Sequence, residues 1–268
     1  MSKIEQLKNV VIDTGTKLYR ESTMLTSTKA LYDFRSGWAG AAKNITANGT
    51  VKDLCYTNNV ATIKGATLTY VGGGLRNAVQ NGARIDFPVA SAPLFADTNW
   101  LVNIWYSPEG YFAGAASDNT IFQIGSFASF DYTKAMCAVR VFSTDGINIT
   151  KIGFAVRGLY YESTDASTLA LFAGAANKTP ILISVHYQLI GSTHYVKIYI
   201  NGTLFMSRSP TTTVPTITPT SVSAFGTAPN WSLTGKFYRY KLDNLISSIK
   251  SAEEIIAAEY QTCASVFS

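Results

Sequence analysis

Acidic residues are the first groups to consider, because paired carboxylates are what sugar hydrolysis requires. A retaining glycosidase needs two carboxyl groups about 5 Å apart across the scissile bond, and on one strand this means alternating acids. The 268-residue sequence has 17 Asp and Glu, and no two of them alternate in that way. The one adjacent pair, Glu253-Glu254, opens a predicted helix, where acids complement the helix dipole. We therefore expect a protein without catalytic residues.

Histidine, cysteine and the basic residues point to no further chemistry. His186 and His194 lie on consecutive predicted strands and lack a third partner for a metal or a catalytic triad. The three cysteines are widely spaced and form no CxxC motif, which is typical of a protein that folds in a reducing cytoplasm. Residues 1–84 hold 11 Lys and Arg against five acids, but no basic run or nucleic-acid-binding motif occurs. Nucleic acid is not an expected partner.

Aromatic side chains beside polar groups are the residues that could bind a sugar. The candidates are Trp105, Tyr106 and Tyr111, in and before an aromatic loop, and Trp231, which follows Asn230. Aromatic residues make up 12% of the chain, which is also enough to fill the core of a sandwich. Both interpretations, a glycan site and core packing, stay open at this point.

The elements that would position these residues are almost all strands. Residues that face opposite sides of a strand alternate in type from His194 to Ile200. Asn201-Gly202 follows as a turn, and Thr203 to Ser207 forms the second strand, so the pattern predicts a hairpin. Ser251 and Glu254 form a capping box for a short C-terminal helix. No run of 18 apolar residues occurs and the N-terminus is charged, so neither a membrane partner nor a signal peptide is expected. Further strands are predicted around Ala30–Phe34, Ala61–Val71, Ala83–Phe87, Trp100–Tyr106, Thr120–Ile124, Met136–Phe142, Lys151–Val156, Ile181–Ile190 and Lys236–Leu242.

Residues 1–29 differ from the rest and predict an arm. Ile4, Leu7, Val11 and Leu18 have helical or heptad-like spacing over too short a stretch for a coiled coil. An arm without its own core usually packs on a neighbour or on the body. We therefore predict an attachment or oligomerisation arm over residues 1–29 and one domain over residues 30–268.

The C-terminal third resembles a known family. The segment Tyr195–Leu204 (YVKIYINGTL) is similar to the VxIYxNGxL hairpin of concanavalin A-like and laminin-G-like jelly rolls. In that family a strand and a closing SAEEI turn follow, and Phe237–Tyr240 and Ser251–Ile255 match them in order. Over roughly residues 30–262 the resemblance implies an all-β fold: a jelly-roll β-sandwich of two antiparallel sheets, with a short N-terminal arm and a short C-terminal helix.

Calcium is the one cofactor that the resemblance suggests. Relatives of this kind often hold Ca²⁺ with Asp and Asn side chains on loops. Here Asp145 and Asn148, in the turn Asp145-Gly146-Ile147-Asn148, are similar to such a ligand-bearing turn. An ordinary Asx turn is the alternative interpretation.

The family hosts lectins, glycanases, adhesion modules and virion proteins, so the fold alone does not choose a function. A sequence without a signal peptide, with an added N-terminal arm and with a β composition rich in Asn, Thr and Gly resembles a tailed-phage virion component. We predict a non-enzymatic virion protein of a capsid decoration, tail or baseplate, made in the host cytoplasm, which forms a homo-oligomer and binds other virion proteins. The alternative is a carbohydrate-binding adhesin that recognises a cell-surface glycan.

Overall fold

The structure is a computed structural model, and it describes residues 22–37, 39–55, 59–114, 119–125, 131–173, 179–226 and 233–267. Two helices lie in these ranges, α1 (Ala166–Phe172) and α2 (Ala252–Cys263). In chain order the strands of the described ranges are β1 (Thr28–Asp33), β2 (Thr50–Lys52), β3 (Val60–Gly65), β4 (Thr69–Val71), β5 (Gly74–Asn77), β6 (Ala83–Phe87), β7 (Asn99–Gly110), β8 (Thr120–Gly125), β9 (Ala135–Ser143), β10 (Ile149–Val156), β11 (Leu159–Ser163), β12 (Ile181–Ile190), β13 (Thr193–Ile200), β14 (Thr203–Arg208), β15 (Ser221–Ala224) and β16 (Thr234–Asn244).

The strands form two sheets, each of eight strands in the described part of the chain. Sheet 1 has the order β14-β13-β12-β7-β16-β5-β4, with β1 also paired to β16, and sheet 2 has the order β11-β10-β9-β8-β15-β6-β3-β2. Every pairing is antiparallel. The predicted all-β sandwich with a short C-terminal helix is confirmed.

Aromatic residues that alternate along the strands fill the space between the two sheets. The ring of Phe87 on sheet 2 lies 5.0 Å from those of Tyr32 and Tyr240 on sheet 1. Phe122 of sheet 2 contacts Tyr240 at 4.9 Å and stacks on Phe237 at 6.3 Å. Edge-on and offset contacts of this kind stabilise a core beyond simple area burial.

Helix α2 covers the outer face of sheet 1. Its predicted capping box is present, since the Ser251 hydroxyl accepts from the Glu254 amide and the Glu254 carboxylate accepts from the Ser251 amide. The buried side chains Ile255 and Ile256 of α2 pack in one apolar cluster with Trp105. None of the helices in the described ranges is long and apolar enough to cross a membrane.

A buried charge cluster lies between α2 and sheet 1 and consists of Asp33, Arg239, Lys241, Asp243 and Glu259. Arg239 lies 2.7 Å from both the Asp33 and the Glu259 carboxylates. The Lys241 ammonium lies 3.3 Å from Asp243 and 3.7 Å from Glu259. Each of these side chains is at most 3% exposed. Charges removed from water in this way are tolerated because each has an opposite partner.

The sandwich begins before the predicted boundary at residue 30, so that boundary is corrected. The Thr23 hydroxyl donates to Glu259 at 2.9 Å, and Lys241 donates to the Thr23 carbonyl at 2.7 Å. Met24 is 4% exposed and belongs to the main core. Residues 22–29 are thus part of the domain body, because their polar groups satisfy the buried charge cluster. The proposed arm residues Ile4, Leu7, Val11 and Leu18 lie outside the described residues.

His186 makes the stability of the fold sensitive to acid. It lies on the face of sheet 1 that carries α2, is 6% exposed and pairs through Nε2 with Asn99 Oδ1 at 3.0 Å. Burial lowers its pKa from 6.5 to about 4; the Glu253 charge opposes this shift, and the Lys197 charge adds to it. The unfolded chain therefore takes up this proton at a higher pH than the folded chain does. We expect unfolding free energy to be lost as pH falls from 6.5 towards 4, by up to about 3 kcal/mol from this group.

The substitution His186→Gln should make that acid dependence shallower. Urea unfolding of the wild type and the variant at a series of pH values between 7 and 4 measures it. Parallel stability curves for the two proteins over this range would contradict the expectation.

Candidate functional site

A groove of about 580 Å³ opens at the end of the sandwich where the β13–β14 hairpin turns. One wall is this hairpin of sheet 1, and the other is the connection from β11 to α1 on sheet 2. We call it the hairpin groove. Its volume lies within the range of sites that hold small ligands. The described residues that line it are Ser163, Asp165, Thr168, Leu171, Ile200, Asn201, Thr203, Leu204 and Phe205.

The hairpin wall is held in place by its turn. Asn201 and Gly202 have φ values of 51° and 80°, the left-handed conformation of a tight two-residue hairpin. Asn201 is also anchored to β12, because its amide donates to the Leu182 carbonyl and its Oδ1 accepts from the Leu182 amide, both at 2.9 Å. The next residues, Thr203 and Leu204, are thereby presented on a fixed frame, with Leu204 51% exposed.

The opposite wall is built around Asp165, which caps α1. Its Oδ2 accepts from the Ser167 hydroxyl at 2.7 Å and from the Thr168 amide at 2.9 Å. These hydrogen bonds lower the pKa of Asp165, so the group is a carboxylate at neutral pH. Both of these capping bonds go to Oδ2, and the Thr168 side chain also hydrogen-bonds the carboxylate. Leu171, one helical turn further on, is 39% exposed in the same groove.

The lining therefore combines four apolar residues with five polar ones. The ring of Phe205 packs on Phe154 of β10 at 6.0 Å and so fixes the base of the groove to sheet 2. Exposed leucines on both walls can cover the C–H face of a ligand, while hydroxyl, amide and carboxylate groups accept or donate hydrogen bonds. Such a mixed lining suits a polyhydroxylated molecule. Asp165 is the one carboxylate among the described lining residues, whereas cleavage of a glycoside needs two.

The aromatic residues predicted to bind a glycan are placed in the interior, and this prediction is corrected for three of them. Trp105, Tyr106 and Tyr111 are 1%, 0% and 1% exposed. Trp105 packs under α2, and Tyr106 belongs to the core between the sheets. Trp105 and Tyr106 face packed side chains rather than solvent, because β7 is a central strand covered on both sides, and Tyr111, which directly follows β7, belongs to the same main core as Tyr106. The fourth residue, Trp231, lies outside the described residues.

The predicted calcium ligands form a hydrogen-bonded turn. Asp145 Oδ1 accepts from the Ile147 amide at 2.9 Å and the Asn148 amide at 2.6 Å, and its Oδ2 accepts from the Asn148 side chain at 2.5 Å. These bonds lower the pKa of Asp145 to about 2. Both carboxylate oxygens are thus used within an Asx turn. The described ranges contain no group of three or more His, Cys, Asp and Glu side chains that could hold a metal, and calcium binding stays a prediction.

The two histidines do not meet. In the β12–β13 ladder, His194 lies opposite Leu189, which is three positions along β12 from His186. The side chains of the two histidines therefore point to opposite faces of sheet 1. His194 faces the interior, where its Nδ1 pairs with the Tyr187 hydroxyl at 2.9 Å. Neither has a second histidine or a carboxylate with which to form a catalytic pair in the described structure.

The groove residues were missed at the sequence level. Asn201-Gly202 correctly located the hairpin, but Leu204 was counted only as part of a returning strand. A signal for the opposite wall does exist, because Asp165 precedes Ala166-Ser167-Thr168 in the pattern of a helix N-cap. What no local pattern shows is that these two segments, on different sheets, lie side by side.

Comparison with known proteins identifies the fold. No protein-family model matches the sequence, and no curated protein matches it. Among solved structures, a sialidase from Trypanosoma rangeli has a TM-score of 0.58 at 9% identity, covering 91% of this chain and 34% of the sialidase chain. The binding domain of botulinum neurotoxin DC, solved with rat synaptotagmin II, has a TM-score of 0.57 at 10% identity, covering 88% of this chain and 51% of the other.

A third structure is that of botulinum neurotoxin type C, whose cell entry is described as dependent on interaction with two ganglioside molecules. It has a TM-score of 0.57 at 11% identity, covering 88% of this chain and 51% of the neurotoxin chain. This chain thus spans about half or less of the length of the structures it resembles. The likeness establishes an all-β sandwich, and at these identities it establishes the fold alone.

Proposed function

We propose that this protein is a carbohydrate-binding module and that it binds its glycan in the hairpin groove. The observation that carries the proposal is the groove lining, in which exposed leucines on two walls flank a carboxylate, an amide and hydroxyl groups. An apolar surface beside hydrogen-bonding groups matches the two faces of a sugar ring. The fold adds support, because a similar sandwich occurs in a sialidase and in a neurotoxin described with gangliosides.

Binding rather than cleavage is the chemistry proposed. The lining offers Asp165 as a carboxylate, and Glu162 on the adjacent strand β11 forms an ion pair with Lys151 at 2.8 Å. A hydrolytic mechanism would need a second acid poised across the bond. The sugar is therefore held by packing and hydrogen bonds, and released unchanged.

The predicted virion role would give such a glycan-binding module its biological context. A glycan-binding sandwich on a phage capsid, tail or baseplate would serve attachment, with residues 1–21 joining it to other virion proteins or to further copies of itself. This setting rests on composition and on the N-terminal pattern, and it stays a prediction. Light scattering of the full chain and of a chain lacking residues 1–21 would test it: an unchanged oligomeric state would remove the arm as a self-assembly device.

A substitution in the groove wall tests the proposed binding site. We expect Leu204→Ser to weaken glycan binding about fivefold to tenfold, since part of a leucine side chain that packs on the sugar is lost. Leu204 is 51% exposed, so the fold should tolerate the change. A glycan array of neutral, amino and acidic oligosaccharides identifies binders, and calorimetry then gives their affinities.

Ile190→Ser is the matched control. Ile190 is 55% exposed and is the last residue of β12, beside the end of β13 that lies away from the groove. It should leave affinity unchanged. An array on which the folded protein binds no oligosaccharide would refute the proposed function, and equal losses in the two variants would refute the proposed site.

A further inference from the structure

The hairpin groove carries a charge of one sign. Asp165 is the charged residue among the described residues that line it, and the others are apolar or neutral. Its carboxylate is held in position by the capping bonds from Ser167 and Thr168, which occupy Oδ2. The Asp165 side chain is exposed, so a ligand can reach its carboxylate. A fixed carboxylate in a partly apolar groove attracts a cation more strongly than a freely rotating one, because less order is lost on binding.

Two lysines on the neighbouring strands are already paired with acids. Lys151 on β10 lies 2.8 Å from the Glu162 carboxylate. Lys197 on β13 lies 2.8 Å from the Glu253 carboxylate of α2. Neither ammonium group is therefore paired with Asp165, which is the charged residue of the described lining.

Resting on the proposed function, we infer that the groove selects an amino sugar: a saccharide with a free, protonated amine, in preference to its N-acetylated form and to acidic sugars. The ammonium group of such a sugar donates to the Asp165 carboxylate, while the ring packs on Leu204 and Leu171. An N-acetylated sugar keeps the packing but loses the ion pair. A uronic or sialic acid places a second negative charge beside Asp165 and is disfavoured.

Three hexasaccharides distinguish these cases by calorimetry at low salt and mildly acidic pH. They are the hexamer of N-acetylglucosamine, its fully de-N-acetylated form and the hexamer of galacturonic acid. We expect the amine-bearing hexamer to bind about fivefold more tightly than the N-acetylated one, as for an exposed charge pair, and the acidic hexamer to bind most weakly. The preference should shrink as salt is added.

Asp165→Asn isolates the charge. Asparagine caps a helix as well as aspartate does, so α1 and the groove wall stay folded while the carboxylate is lost. The preference for the amine should then disappear, because both hexamers meet the same uncharged side chain. Asp131→Asn is the matched control, since Asp131 is an exposed capping residue that accepts from the Thr133 amide and does not line the groove.

The outcomes separate the two proposals. Equal affinities for the N-acetylated and amine-bearing hexamers, or tighter binding of the acidic hexamer, overturn the inference and leave the proposed function standing. A preference that survives in Asp165→Asn overturns it as well, because the charge would then lie elsewhere. Binding of none of the three hexamers, with an empty glycan array, overturns both.

Discussion

Replacing Glu259 with alanine is expected to destabilise the protein by about 3–5 kcal/mol, because it breaks a buried ion pair from one side. The Glu259 carboxylate lies 2.7 Å from Arg239 and 3.7 Å from Lys241, and all three side chains are 0% exposed. It also accepts from the Thr23 hydroxyl and from the Trp105 indole. Removing it takes one carboxylate partner from each of these two buried cations, in a place where no water replaces it.

Two further variants assign the cause. Glu259→Gln keeps the size of the side chain and removes its charge, so most of the loss should persist. Glu253→Ala is the matched control on the same helix: its carboxylate pairs with Lys197 at 2.8 Å but is 50% exposed, and such pairs contribute about 0.2–1 kcal/mol. Urea unfolding measures the unfolding free energy of all three variants. If Glu259→Ala and Glu253→Ala lose similar free energy, the buried charge cluster does not stabilise the fold as described.

Replacing Trp105 with alanine is expected to lower stability by about 3–5 kcal/mol while leaving glycan affinity unchanged. The indole is 1% exposed, stacks on Tyr260 at 6.0 Å with parallel rings and meets Phe267 edge-on at 5.1 Å. Its Nε1 donates to Glu259 at 3.2 Å. The substitution thus opens a cavity beneath α2 and frees a hydrogen-bond acceptor in the buried charge cluster.

Tyr132→Ala serves as the control for Trp105→Ala. Tyr132 is an aromatic residue that is 45% exposed and stacks on Tyr160 at 5.3 Å, so its removal should change stability little. Denaturant unfolding gives the stabilities, and calorimetry below the unfolding transition gives the affinities. A Trp105 variant of normal stability that no longer binds glycan would restore the sequence-based assignment of this residue to the binding site.

Local patterns predicted the architecture well where they were strong. The alternation from His194 to Ile200 and the Asn201-Gly202 turn predicted the hairpin, and the observed register, with Ile200 opposite Thr203, agrees with it. The capping box of Ser251 and Glu254 located α2 within one residue. Weaker elements were missed: β11 is a half-exposed edge strand without alternation, β15 is four small residues, and α1 has only seven residues.

The functional residues were harder to predict, for a physical reason. An aromatic-rich strand such as Trp100–Tyr106 looks the same in sequence whether its rings face solvent or a covering helix. The cover over Trp105 comes from α2, about 150 residues away, and the charges of β16 are buried by the same helix. Likewise, Asp165 and Leu204 form one groove because two sheets pack face to face. The sequence of neither segment indicates that the other segment lies beside it in the fold.

Mapping the bound glycan on the folded protein tests the central claim most directly. Amide chemical shifts would be followed while a glycan identified on the array is titrated into the labelled protein. The account predicts that the shifts concentrate in Asn201–Phe205 and Asp165–Leu171, the two walls of the hairpin groove. Shifts confined to another surface, such as that of the stacked rings of Tyr132 and the half-buried Tyr160, would contradict it.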